Sequence, residues 1–356
     1  MKEIDLIPIP IDTLQAGTLA QENVYAHDAG QLLIKAGTFI DDRTIQRVKH
    51  LNNGKTTVFL AGQPLIPLTV PLEEMERRRV ALEKATGYDK ITDEAVEYLS
   101  EAAESKHVDP TKLKKISHLL SDRVGTASSS IILTLVSALA PVDEYLQRHC
   151  VNTAFLNGLM GKWMGLPAEA VSRLALIGLL HDCGKALMPH SILNEHRRLT
   201  VVEYEVIKTH PLYSYDLLAD FPEDIRLAAR GHHEKMNGTG YPDHLQTDKI
   251  PIESRITAIS DIYDALVAQR AYKEPRSPFS VLALLKRVAK RELDHRLVDL
   301  FLANIPKELL GKQAVLSNGT LAYIHEIDYD DIEYPIVNQF GEQVKTNGNL
   351  YCTSMY

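Results

Sequence analysis

The chain has 356 residues, 45% of them hydrophobic, which is enough apolar material for two to three domains at the usual ~100–200 residues each. A formal net charge of −8 excludes a general attraction to nucleic-acid polymers, so an anionic small substrate would need local cations to receive it. No uncharged apolar run reaches the ~18–20 residues of a membrane span, and Met1–Pro10 has acidic residues where a secretory leader needs basic ones, so no membrane association and a soluble cytoplasmic protein are expected.

From Ile4 to Leu60, short apolar runs such as Val24-Tyr25 and Leu32-Leu33-Ile34 alternate with turn residues, which predicts strands and hairpins closed by a short helix near Asp41–Leu51. This is a small N-terminal α+β domain, regulatory or interacting, over residues 1–63. Pro64, Pro67 and Pro71 mark a linker with a connecting helix, residues 64–91. Helical periodicity then holds through Leu72–Ala85, Thr92–Ser105, Pro110–Val124, Ser128–Leu139, Val142–Met164 and Pro167–Leu180. It continues through Val201–Thr209, Leu212–Ala219, Glu223–Glu234, Ile252–Gln269 and Pro278–Lys290, with Thr200 and Glu203 spaced as a capping box. Beyond Leu310 the period returns to two, in Ala314–Leu316, Leu321–Ile327 and Tyr334–Val337, so a β-rich appendage is expected over 310–356. The fold class is mainly α: an all-helical bundle over 92–309 with small β-containing segments at both ends.

The helical region carries the chemistry. His149 falls inside one helix, His181-Asp182 at the end of the next, His210 at the end of another, His232-His233 in a fourth and Asp261 in a fifth, each beside apolar residues. Polar groups aimed into a helical core are costly unless paired or metal-bound. A lone His149 would more often be a hydrogen-bonded core residue, and His232-His233 alone a surface tract; their combination on separate helices points to a metal site. Imidazole suits iron, manganese or zinc, a carboxylate can bridge two ions, and the lack of cysteine at these positions disfavours a purely structural zinc. Two ions about 3.5–4 Å apart could clamp a phosphodiester. Cys150, Cys183 and Cys352 read as buried small hydrophobes. In Gly238–Pro242 two glycines free the backbone, and Tyr241 offers a flat ring with a hydroxyl.

His181-Asp182-Cys183-Gly184-Lys185, His232-His233-Glu234, Asn237-Gly238-Thr239-Gly240-Tyr241-Pro242 and Asp261-Ile262-Tyr263-Asp264-Ala265-Leu266 closely resemble the motifs of the HD-GYP family of cyclic di-GMP phosphodiesterases, within the HD superfamily of metal-dependent phosphohydrolases. The stretch from Asp143 through His149 to Asn152 looks like that family's first ligand helix. The resemblance implies an HD-type bundle in which His149, His181, Asp182 and Asp261 hold one metal. Asp182 bridges to a second that takes His210 and His232, with His233 completing this second site or contributing to a third. It also implies that Lys185 contacts the scissile phosphate, that Asp182 and Lys185 are catalytic, and that Tyr241, Arg270 and Lys273 bind the substrate.

The implied reaction is attack by a metal-bound hydroxide on cyclic di-GMP, giving linear pGpG and then GMP. Other members of the superfamily act on other cyclic dinucleotides or nucleotides, and a catalytically silent cyclic di-GMP receptor is a further alternative. The resemblance extends to a diguanylate-cyclase domain as partner of the Gly240-Tyr241-Pro242 loop and to a homodimer. Two departures matter. Asn237 stands where the family has aspartate, with little effect expected on chemistry, and Tyr145 stands where members with three metals carry a glutamate ligand. Glu144 lies about 100° around the helix from that position. Two divalent ions, iron or manganese, are therefore expected rather than three.

Overall fold

The structure, a computed structural model, describes residues 6–11, 18–19, 24–26, 32–35, 39–40, 42–52, 57–61, 86–126, 145–193, 199–267, 277–318, 320–339 and 342–355, with a few further positions between them. Contacts divide the chain into two compact units. One comprises Met1–Arg77, Gly311–Glu326 and Ile336–Thr353; the other comprises Arg78–Leu310, Ile327–Pro335 and Ser354–Tyr356.

In the first unit, β1 (Leu6–Pro10), β3 (Val24–Tyr25), β4 (Leu32–Ile34) and β6 (Thr57–Ala61) form a sheet in the order β1-β6-β3-β4. β1 pairs antiparallel with β6 along its length, Leu6 opposite Ala61 and Pro10 opposite Thr57. Pro8 and Pro10 are tolerated because β1 is an edge, where a missing N–H need not break a ladder. β2 (Thr18–Leu19) and β5 (Phe39–Ile40) pair separately. Helix α1 (Asp42–Leu51) buries Val48 in a cluster with Val24, Ile34, Ile40 and Val58. A second sheet, in the order β10-β9-β8-β7-β11, is built from β7 (Gln313–Leu316), β8 (Leu321–Glu326), β9 (Ile336–Gln339), β10 (Glu342–Lys345) and β11 (Cys352–Met355), all within this unit except the last two residues of β11.

The second unit is helical. It runs through α2 (Tyr88–Ser105), α3 (Lys114–Thr126), α4 (Tyr145–Trp163), α5 (Ala168–Leu180), a short 3-10 helix at Cys183–Leu187, α6 (His190–Leu193) and α7 (Val201–Ile207). It continues through α8 (His210–Leu217), α9 (Glu223–Gly231), α10 (Ile252–Val267), α11 (Pro278–Ala289) and α12 (His295–Leu309). Every residue of α4 from Arg148 to Gly161 is buried, so the helix has no solvent-facing side there and its polar residues Arg148, His149, Asn152, Thr153 and Asn157 lie in the core. Around it pack α5, α2, α3, α10 and α12. A polar side chain on α4 or on the inner face of α10 is therefore in the core by construction, and must find a partner there.

The capping box at Thr200 and Glu203 is present, opening α7. Three sequence expectations are corrected. α9 stops at Gly231, so His232 caps it and His233 lies beyond it; His210 opens α8 rather than ending α7. α12, not anticipated from the sequence, carries Pro306 within it. Its buried stripe of Leu297, Val298, Phe301, Leu302, Ile305 and Leu309 continues on both sides of the proline, and tertiary packing outweighs the lost backbone bond. Most of the expected helices at Leu72–Ala85 and Ser128–Leu139 lies outside the described residues. Among the described residues no helix is long and apolar enough to cross a membrane.

Candidate metal centre

The local sequence explains how each group is delivered. α5 ends at Leu180, so His181 and Asp182 leave the helix at its buried C-terminus, and the chain turns at once into the 3-10 helix. Gly184 makes that turn fit. A Cβ there would come within 2.1 Å of the His210 carbonyl oxygen and 2.4 Å of the Ser214 amide nitrogen. Ser214 ties the two segments together, donating to the His181 carbonyl at 2.9 Å and accepting from the Gly184 amide at 2.9 Å. The start of α8, with His210, is thereby held against His181-Asp182. α4 contributes His149 and α10 contributes Asp261, both from buried positions.

These side chains converge into two overlapping donor sets that share Asp182. In one, the ligand atoms of His149, His181 and Asp182 lie within 4.8 Å of one another; in the other, those of Asp182, His210, His232 and His233 do. Asp182 Oδ1 is 3.0 Å from His210 Nε2 and 3.6 Å from His232 Nε2, while Asp182 Oδ2 is 3.3 Å from His181 Nε2 and 3.6 Å from His149 Nε2. Asp261 lies between the sets, 3.1 Å from His149 Nε2 and 3.9 Å from His233 Nδ1. The Lys185 ammonium pairs with Asp182 Oδ2.

The tautomers fit a metal. Nδ1 of His181, His210 and His232 each faces the carbonyl oxygen three residues earlier, of Gly178, Ile207 and Ala229, at 2.6–2.7 Å. An imidazole that donates Nδ1–H to a carbonyl presents its Nε2 lone pair forward, the arrangement typical of metal-ligating histidine. Among the described residues His181 Nε2 and Asp182 Oδ1 are buried with no hydrogen-bond partner. Two such orphans in one cavity are costly, and a cation satisfies both. Burial lowers the pKa of His181, takes that of His210 to about 4, and holds that of His233 well below the usual imidazole range, so the rings stay neutral. For Asp182, burial opposes ionisation, but the polar groups around it, the Lys185 ammonium among them, outweigh it and hold the carboxyl well below its ordinary value. Asp261 behaves alike, with His149 as the main counterweight. The donor set is all nitrogen and oxygen; the Cys150 and Cys183 thiols nearby are buried and pushed up to about 12.

Behind His149 lies a network that sequence reasoning did not assign. His149 Nδ1 is 2.6 Å from Asp264 Oδ2, and the other Asp264 oxygen accepts from Asn152 at 2.7 Å. Tyr88, on α2, donates its hydroxyl to Asn152 at 2.5 Å, and burial raises its pKa far enough to keep the phenol protonated. Arg148 lies over the Tyr88 ring and pairs with Glu83. Asp264 follows Asp261 by three residues on one helix face, so the first carboxylate reaches the cluster while the second orients a member of it. That spacing was the available signal.

In front, Tyr241 stacks on His233 with ring centroids 4.7 Å apart. Its loop is fixed from beneath: Glu234 accepts from the Asp243 and Leu245 amides at 2.6 and 3.0 Å, and Arg230 grips Asp243 through two hydrogen bonds. Gly240 permits the close return, since a Cβ there would lie 2.4 Å from the Lys235 amide nitrogen. Asn237 closes the turn by accepting from Thr239. Arg270 and Lys273 lie outside the described residues, as does the side chain of Tyr145.

Residues 134–297 match the family described as HD domain. The chain is 38% identical over 177 residues to the cyclic di-GMP phosphodiesterase response regulator RpfG of Xanthomonas campestris pv. campestris, a match covering 47% of this chain and 46% of that one. It is 31% identical over 179 residues to the 3'3'-cGAMP-specific phosphodiesterase 2 of Vibrio cholerae, covering 49% of this chain and 34% of that one. The matched region thus spans about half of the first relative and a third of the second. Bd1817, an HDG"Y"P protein from Bdellovibrio bacteriovorus, shares the fold with a TM-score of 0.51 at 16% identity, covering 83% of this chain and 98% of that one.

Proposed function

We propose that this HD-domain chain is a metal-dependent phosphodiesterase that hydrolyses cyclic di-GMP to linear pGpG, and GMP where the linear product is cut again. The observation that carries this reading is the pair of buried donor sets joined through Asp182, in which His181 Nε2 and Asp182 Oδ1 are buried without a hydrogen-bond partner. His149, His181, Asp182 and Asp261 hold one divalent ion, and Asp182, His210, His232 and His233 hold the second. Iron or manganese suits this nitrogen and carboxylate set. Divalent ions so placed supply Lewis acidity toward phosphoryl oxygens and lower the pKa of water.

The chain's own residues do the rest. Lys185, only 20% exposed and paired with Asp182, places an ammonium where negative charge grows on the reacting phosphate. The Tyr241 ring, locked by His233 and the Glu234-braced loop, offers a flat surface beside the scissile bond. Arg270 and Lys273 supply the further cations that a dianionic substrate needs on a chain of net charge −8. A second reading keeps the site and exchanges one guanine for adenine, in line with the cGAMP-specific name of a relative. Anaerobic purification with metal quantification, followed by chromatography of products from cyclic di-GMP and 3'3'-cGAMP, tests both. Linear dinucleotide from metal-loaded protein supports the proposal. Absence of turnover with iron and with manganese removes it.

A further inference from the structure

Outside the metal cluster, an aromatic and cationic wall continues from Tyr241 to α7 and takes no part in ligand holding. The Lys208 ammonium sits 5.5 Å from the centroid of the Tyr241 ring and 5.9 Å from that of Tyr204. The sequence of contacts is therefore His233, Tyr241, Lys208, Tyr204, running from the buried cluster to a ring that is 50% exposed. Val201, Tyr204 and Lys208 fall at i, i+3 and i+7, one face of the helix, and Val201 is 80% exposed. A cation standing between two tyrosine rings at the edge of the cluster offers a flat stacking face and a positive charge side by side.

We propose that Tyr204 and Lys208 form a subsite for the part of a purine dinucleotide that lies beyond the scissile phosphate, the base stacking on the Tyr204 ring and the second phosphate taken by Lys208. This rests on the reading of the cluster as a cyclic dinucleotide phosphodiesterase. Bases stack on aromatic faces regardless of their hydrogen-bonding pattern, and a lysine serves phosphate as a point charge. In the free protein Lys208 is bound to both carboxylate oxygens of Glu205 at 3.0 Å. That carboxylate is 60% exposed, and a pair so open to water is weak enough for a phosphate to displace. The capping box at Thr200 and the Arg197 pair with Glu203 hold α7 in place without involving the wall itself.

The test compares wild type with Tyr204→Ala, Lys208→Ala and Glu205→Gln in the metal-loaded full chain. Turnover of cyclic di-GMP is measured beside that of bis(p-nitrophenyl) phosphate, a diester too small to span the subsite, and equilibrium binding of cyclic di-GMP is titrated separately. Tyr204→Ala and Lys208→Ala are expected to raise KM and weaken binding about tenfold, equivalent to about 1.4 kcal/mol. Their kcat, metal content and activity on the small diester stay at the wild-type level. Glu205→Gln, which frees the cation, is expected to tighten binding. The subsite is overturned if the first two variants bind cyclic di-GMP as wild type does, or lose both substrates in parallel. If wild type binds without turnover while the variants bind weakly, the subsite stands and the catalytic reading falls; if wild type neither binds nor cleaves, both fall.

Discussion

The floor and the rim of the candidate metal centre are built on opposite principles. On the floor, each polar group is buried and turned by a protein partner: Asp264 and Asn152 behind His149, the Gly178 carbonyl behind His181, the Ala229 carbonyl behind His232. At the rim, Lys208 and Tyr204 meet water, and the Lys208 pair with Glu205 is exposed. Burial with fixed partners keeps imidazoles neutral and aimed, as resident ions require. Exposure with weak partners leaves groups free to exchange water for substrate. The same chemistry, cation beside carboxylate, is thus largely withdrawn from water at Lys185–Asp182 and open to it at Lys208–Glu205.

The largest effect is expected at the shared carboxylate. Asp182→Ala removes a member of both donor sets, so metal content and turnover should fall to background together, as read by elemental analysis and product chromatography. Retention of metal by that variant would break the floor half of the comparison. Lys185→Ala should lower kcat by about 10²–10³-fold, the usual scale for one lost charge-stabilising donor, with metal content preserved. Loss of metal instead would move Lys185 from substrate to ligand positioning. Asp264→Asn leaves size unchanged but takes the negative partner from His149; metal affinity should weaken by about 10–100-fold in a competition titration. Affinity equal to wild type would mean that the buried network serves packing only.

At the rim, Thr200→Ala removes an N-cap worth about 1 kcal/mol. Local hydrogen exchange in α7 should accelerate and KM should rise modestly, while metal content stays constant. The cap also has a pH signature. Bonding to Arg197 and Thr200 lowers the Glu203 pKa to about 2 from an ordinary 4.5, so its contribution is fully present above pH 4.5 and is lost as pH falls through 4.5 toward 2. Protection of α7 at neutral pH that is unchanged by Thr200→Ala would show that the cap does not govern the rim.

The sequence offered His149, His181, Asp182, His210, His232 and Asp261 as one group because they are metal-ligating residue types placed beside apolar residues on separate helical segments. Their supports were less visible. Asn152 and Tyr88 are separated by 64 residues, and only the packing of α2 against α4 brings them into one chain of hydrogen bonds with Asp264. Tyr204 and Lys208 lie within the expected helix Val201–Thr209 but carry no pattern that singles them out, because an exposed side chain does not interrupt a core. The same contrast holds for the fold. The capping box and the apolar helices were readable, whereas α12 was hidden by Pro306. β10 was hidden because Glu342–Lys345 is mostly exposed and lacks the alternation of a half-buried strand.

Elemental analysis of anaerobically purified wild type beside Asp182→Ala addresses the central claim, that two ion sites share one carboxylate. The account predicts two iron or manganese ions per wild-type chain and none in the variant. Equal metal content in the two proteins, or a reproducible third ion in wild type, would contradict it.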